Sequence, residues 1–270
     1  MVSAMFRSLL RLTAVLFLAT LSVRAQQPAA DARPTVWLIG DSTVNNSTKG
    51  LLGWGKPIAE LFDPAKVRVE NRARGGTSSR SFLREGMWDA VAKEIRAGDF
   101  VLMQFGHNDG GPIDREKARA SLKGNGEETK DVTVVETGAA ETVHSYGWYL
   151  RHYAAEAKAK GATPIILSLI PRNIWQDGKV GRAAGDYGKA ASEAAATGGF
   201  LFIDLNAIVA GHYDELGQEK VAAEYFTAAD HTHTTPAGAA FNAACVTEGI
   251  RMLKGCPLAG ALRPAAPAVR

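Results

Sequence analysis

Apolar and polar positions follow two alternating rhythms along the chain. Five short runs rich in β-branched and aromatic residues, Val36–Ile39, Val67–Asn71, Phe100–Phe105, Thr163–Leu169 and Phe200–Asp204, are separated by segments of helical spacing. Phe100–Phe105 is almost continuously apolar, as a strand covered on both faces requires, whereas Val67-Arg68-Val69-Glu70-Asn71 alternates and suits an edge. Helices are predicted around Trp54–Phe62, over Met87–Ala97 with Gly98 as its stop, over Glu141–Lys160 closed by Gly161, and around Ala183–Ala196. A last helix begins at Pro236, with Thr235 as N-cap. Strands alternating with helices predict a doubly wound α/β fold with a five-stranded parallel sheet, in one domain over residues 34–260.

Other stretches have no regular rhythm. Residues 110–135, charged and punctuated by glycine, follow the third strand. They are expected either to shape a cleft at the carboxyl end of the sheet or to form a surface loop. At the start, Arg7 and Arg11 precede an apolar run, Leu12–Leu21, shorter than the roughly 20 residues of a membrane span. With Val23-Arg24-Ala25 after it, residues 1–25 read as an export signal cleaved near Ala25, giving a periplasmic or extracellular protein with no membrane contact afterwards. Residues 26–33 read as a structureless lead-in and 261–270 as a structureless tail.

Composition changes this picture in two respects. The chain carries 31 basic and 28 acidic side chains, and loss of residues 1–25 removes three arginines and no acid, leaving net charge zero. With no basic stripe, nothing favours a nucleic-acid partner, and a monomer is expected. Export permits a bridge between the two cysteines, Cys245 and Cys256, although two buried thiols fit equally well.

The candidate chemistry sits where the strands end. Gly40-Asp41-Ser42 follows the first strand, Gly75-Gly76 the second and Gly106-His107-Asn108-Asp109 the third; Asp230-His231-Thr232-His233 precedes the last helix. Gly-Asp-Ser alone is an ordinary turn tripeptide. An acid and a histidine three apart in a tight turn, however, let the carboxylate hold Nδ1–H and free Nε2 to take a proton from a serine. Acyl transfer needs that nucleophile, base and orienting acid, and donors to a developing oxyanion. The amide of Ser42, that of a glycine and the side chain of Asn108 can supply the donors. A zinc site of Asp230, His231 and His233 is the competing reading, but no further ligand accompanies them and no metal is expected. The Gly-x-Ser-x-Gly elbow of α/β-hydrolases and the Gly-x-Gly-x-x-Gly nucleotide fingerprint are both missing.

In order and spacing these blocks resemble the SGNH, or GDSL, hydrolase superfamily. The resemblance implies a flavodoxin-like three-layer α/β/α sandwich, the SGNH hydrolase fold. It implies Ser42 as nucleophile, His233 as base and Asp230 as acid, with the Ser42 and Gly76 amides and the Asn108 side chain as the oxyanion hole, and no cofactor. Gly76-Thr77-Ser78-Ser79-Arg80-Ser81, Gly106-His107-Asn108-Asp109 and Asp230-His231-Thr232-His233-Thr234-Thr235-Pro236 are similar to rhamnogalacturonan acetylesterases. That implies removal of O-acetyl groups from an acetylated polysaccharide of the plant wall, the pectic rhamnogalacturonan. An esterase or lipase for another ester, such as acetylated xylan, and a catalytically idle carbohydrate-binding protein are the alternatives. Asp41 beside the serine is expected to face substrate, as are Arg80 and Arg172 near strand ends, where they would meet acidic galacturonate groups.

Overall fold

A computed structural model describes residues 31–182 and 185–264. The expected export signal, most of the lead-in and the end of the tail lie outside the described residues. Among those described, no helix is long and apolar enough to cross a membrane.

The five apolar runs form one parallel sheet: β1 (Thr35–Gly40), β2 (Arg68–Asn71), β3 (Phe100–Gln104), β4 (Thr163–Leu167) and β5 (Leu201–Ile203). They lie in the order β2-β1-β3-β4-β5, with β2 at an edge. Successive side chains leave opposite faces of a strand, so each buried strand feeds two cores. Val36, Leu38, Leu102, Ile165 and Leu167 pack to one side. Trp37, Ile39, Val101, Met103 and Ile166 pack to the other. The second core is closed by α1 (Ser79–Arg84), α2 (Met87–Glu94), α3 (Tyr146–Ala159) and α4 (Gly185–Gly198) through residues such as Phe82, Trp88 and Tyr153. The first is closed by α5 (Leu205–Leu216), α6 (Gln218–Tyr225) and α7 (Pro236–Met252), through Val209, Tyr213, Val221, Val246 and Ile250. The result is a three-layer α/β/α sandwich, the SGNH hydrolase arrangement.

Several boundaries differ from the pattern in the sequence, each for a local reason. The helix expected around Trp54–Phe62 is only a 3-10 turn, Pro57–Leu61. The amides of Trp54 and Gly55 are given to the carbonyls of Thr43 and Val44 (3.0 and 2.9 Å), which ties this segment to the loop after β1. The expected Met87–Ala97 helix stops at Glu94, and Ile95 is extended and buried. The helix expected from Glu141 begins at Tyr146, because Ala140–His144 pairs with Thr129–Thr133 in an antiparallel hairpin. Ser145 then caps α3, its hydroxyl accepting from the Trp148 amide at 3.1 Å. Asp204, read as the end of a strand, instead caps α5, a helix that with α6 has no counterpart in the sequence reading. Packing continues beyond residue 260: Pro257–Ala261 forms a 3-10 turn, and the Arg263 amide donates to Leu61 at 2.9 Å. Cys245 and Cys256 are both buried and unbridged.

The charged stretch after β3 is held onto the body of the domain by a buried cation. Arg80 of α1 is inaccessible to solvent. Its Nε and Nη2 donate to the two carboxylate oxygens of Glu141 at 2.7 and 2.5 Å, and Nη1 to the carbonyls of Ile113 and Ala120 at 2.7 and 2.8 Å. Removing one partner of a buried pair strands the other charge, at a cost of roughly 3–5 kcal/mol. Glu141→Ala is therefore expected to lower the urea unfolding free energy by about 3 kcal/mol, since Glu141 retains some solvent; a loss below about 1 kcal/mol, the level of a surface pair, would show that the pin carries no weight.

Candidate active site

All five strands run the same way, so the loops after β1, β2 and β3 emerge at one edge of the sheet, where ligand-binding groups of such folds collect. The first of these loops is rigid. Asp41 is buried, and its Oδ1 accepts from both the amide and the hydroxyl of Thr43, each at 2.8 Å. The Thr43 hydroxyl in turn accepts from Gln104 Nε2 at 2.5 Å, and Gln104 Oε1 accepts from the Trp54 indole at 2.8 Å. A Cβ on Gly40 would fall 2.4 Å from the Gln104 carbonyl and 2.5 Å from the Val44 side chain, so only glycine fits where β1 turns.

Ser42 is presented by this turn. Its Oγ lies 2.8 Å from His233 Nε2. On the far side of the ring, Nδ1 lies 2.7 Å from Asp230 Oδ2. An ionised carboxylate only accepts, so Nδ1 carries the hydrogen and Nε2 is left as acceptor for the serine hydroxyl. Asp230 and His233 belong to a short strand, Asp230–Thr234, paired antiparallel with Phe226–Thr227; the sequence had suggested only a turn. Asp230 Oδ1 also accepts from the amides of Thr232 and His233 at 2.8 and 2.9 Å. Burial pushes the Asp230 carboxyl up, but the hydrogen bonds from His233 and Thr232 outweigh it and hold it below the usual value. His231 is exposed. Among the described residues, no three His, Cys, Asp or Glu side chains are grouped to hold a metal ion.

A cleft of about 380 Å³ opens over Ser42 and His233, lined also by Gly75, Gly76 and Asn108. Gly76 is in the left-handed region, φ 85°. Asn108 Nδ2 donates to the Thr77 carbonyl at 2.8 Å, which fixes the amide while its second hydrogen remains for another acceptor. Asp109 anchors the same loop from below. Its carboxylate is buried and accepts from the Ser79 hydroxyl at 2.5 Å and the Ser121 hydroxyl at 3.1 Å. Burial raises its pKa to about 6, against hydrogen bonds from Ser79 and Ser121 that act to lower it. Burial likewise holds the His107 ring below the usual histidine value, although the Asp41 charge opposes this.

The residues expected to face substrate are distributed differently. Asp41 points into the protein, because its carboxylate is needed to tie the turn. Arg80 is enclosed with Glu141 and does not reach the cleft. Arg172 is exposed and lines a neighbouring cavity of about 370 Å³ with His107, Leu169 and Ile174. Arg119, from the charged stretch after β3, lines the Ser42 cleft itself. The sequence reading missed it; the only signal was its place in an insertion expected to shape the cleft.

The chain is similar to known proteins over most of its length. Residues 38–241 match the model of the GDSL-like Lipase/Acylhydrolase family. The chain is 37% identical over 230 residues to a rhamnogalacturonan acetylesterase of Emericella nidulans, covering 83% of this chain and 89% of that protein. It is 31% identical to the rhamnogalacturonan acetylesterase RhgT of Bacillus subtilis, covering 83% and 91%. In fold it resembles the solved structure of Axe2, an acetylxylan esterase from Geobacillus stearothermophilus, at a TM-score of 0.54 and 18% identity over 82% of this chain and 95% of that one.

The raised pKa of Asp109 has a consequence for stability. The folded chain retains a proton that the unfolded chain releases above the ordinary value of 3.8, up to about 6. The contribution of this group to stability therefore falls as pH rises between those values and is level above them. In Asp109→Asn, whose Oδ1 can keep the same donors, that fall should vanish. Urea unfolding of the two proteins across this window should show stabilities that diverge by on the order of 2–3 kcal/mol; parallel curves would contradict it.

Proposed function

The chain belongs to the GDSL-like lipase/acylhydrolase family and is a carboxylic ester hydrolase, and on that premise we propose that it is an exported serine acetylesterase removing O-acetyl groups from rhamnogalacturonan. The observation that carries the chemistry is the unbroken line Ser42 Oγ, His233, Asp230, at 2.8 and 2.7 Å. The relatives named for rhamnogalacturonan at 31–37% identity over 83% of the chain support the choice of polymer. The apolar run behind Arg7 and Arg11 supports export.

In this reading Ser42 attacks the acetyl carbonyl as His233 Nε2 takes its proton. Asp230 holds the ring in the required tautomer and stabilises the imidazolium that forms. The negative charge that develops on the carbonyl oxygen is received by the amides of Ser42 and Gly76 and by the Asn108 side chain. His233 returns the proton to the departing sugar hydroxyl, leaving an acetyl group on Ser42. Water then attacks this ester, again losing its proton to His233, which returns it to Ser42 Oγ as that bond breaks and acetate leaves. Every proton transfer is carried by the chain's own residues. In this reading Arg172, which lines the neighbouring cavity, meets an acidic sugar further along the polymer.

Acetate release from acetylated rhamnogalacturonan, acetylated xylan and p-nitrophenyl acetate tests both halves of the proposal. Rapid release from the pectic polymer, abolished in Ser42→Ala with folding intact, is the expected outcome. Activity on the small ester but not on the pectic polymer would refute the choice of substrate, and hydrolysis surviving in Ser42→Ala would refute the mechanism. Asn108→Ala is expected to lower turnover by about 10²–10³ through loss of one oxyanion donor.

A further inference from the structure

The cleft over Ser42 is lined by hydroxyls, amides, His233 and a single guanidinium, Arg119, with no carboxylate among its walls. Several arginines around it are paired with acids: Arg80 and Arg84 with Glu141, Arg115 with Asp114, and Arg151 with Glu127. Arg119 has no acidic partner among the described residues. Its Nη1 donates to the Gly76 carbonyl at 2.9 Å, which sets the guanidinium beside the floor of the cleft and leaves its other N–H groups to a ligand.

The backbone that presents Arg119 is tightly held. The Ser78 hydroxyl donates to its carbonyl at 2.5 Å, the buried Arg80 donates to the next carbonyl, Ala120, at 2.8 Å, and the Ser121 amide donates to Asp109 at 3.0 Å. Before it, Glu116, Lys117 and Ala118 are all left-handed, with φ of 56°, 74° and 43°. Three such residues in succession are unfavourable for side-chain-bearing amino acids, and strain of this kind persists only where surrounding contacts impose it. The chain is thus bent at a cost and then fastened at three points, with an unpaired cation as the group delivered to the cleft.

We propose that Arg119 is a specificity-determining residue that receives the carboxylate of a uronic acid unit in the polymer, next to the sugar whose ester is cleaved. A half-buried guanidinium without a counter-ion favours an anion, and its planar fork matches a carboxylate in two-point contact. A neutral polymer such as xylan gains nothing from it. The proposal rests on reading the cleft as an esterase site and adds what that site recognises.

The test uses the whole chain hydrolysing p-nitrophenyl acetate, with digalacturonate, its methyl ester and xylobiose as competitors. Digalacturonate should inhibit the wild type at concentrations about 10–100-fold lower than the methyl ester or xylobiose, the range of a charged hydrogen bond, and added salt should erode that preference. Arg119→Gln should abolish the preference, and Arg119→Lys, which keeps the charge and loses the fork, should retain part of it. Wild type that does not distinguish the acid from its methyl ester overturns the proposal without any variant. A preference that persists in Arg119→Gln, or equal losses of all three affinities, overturns it as well, because Arg119 would then only position Gly76. Failure of the esterase reading is seen separately, as p-nitrophenyl acetate hydrolysis that survives Ser42→Ala.

Discussion

The turn after β1 is the constraint on which the rest of the site depends. A serine hydroxyl 2.8 Å from an imidazole nitrogen is useful only if neither partner can drift. Here the turn is tied by a carboxylate that has left solvent: Asp41 bonds Thr43, Thr43 bonds Gln104 on the neighbouring strand, and Gln104 bonds Trp54. Because polar groups in such a setting are costly unless satisfied, each link holds the others in place. The parallel pairing of β1 with β3 places Gly40 opposite Gln104 and so brings the first and third loops together.

The insertion after β3 converts this platform into a cleft. It is a hairpin, Thr129–Thr133 with Ala140–His144, and a bent segment around Arg119, both drawn onto α1 by Arg80 and Glu141. Two arginines therefore divide two tasks. Arg80 gives all its reach to the protein and none to a ligand, whereas Arg119 keeps most of its donors for the cleft. Asp109 joins the same loops from the other side, at the expense of burying an acid whose ionisation is disfavoured until about pH 6. These tethers give the cleft over Ser42 fixed walls.

Much of this arrangement was legible in the sequence. The continuous apolar runs gave the parallel sheet and its buried strands, because a strand covered on both faces cannot afford polar positions. Asp230 and His233 were readable as a pair from their spacing alone, and Thr235-Pro236 marked the start of α7. Helices α5 and α6 were not legible: they follow the short strand β5 directly, and Asp204 reads equally as a strand end or as the helix cap that it is. The hairpin strand Ala140–His144 was absorbed into the helix after it, since a half-buried short strand has too few residues to establish a period.

The sequence by itself determined the sheet, the layers and the identity of the groups at the strand ends, because hydrophobic period and residue chemistry are local properties of the chain. Beyond the Asp230–His233 pair, tertiary structure alone decided which of those groups meet. Arg80 and Arg119 are indistinguishable as letters; one is enclosed against Glu141 and the other lines the cleft over Ser42 because of contacts made between residues 61 and 43 positions apart. Likewise Asp41 turned inward to Thr43 rather than outward to a ligand. The fate of a charged side chain depends on whether burial is repaid by partners brought from elsewhere in the chain, and that balance exists only once the chain has folded.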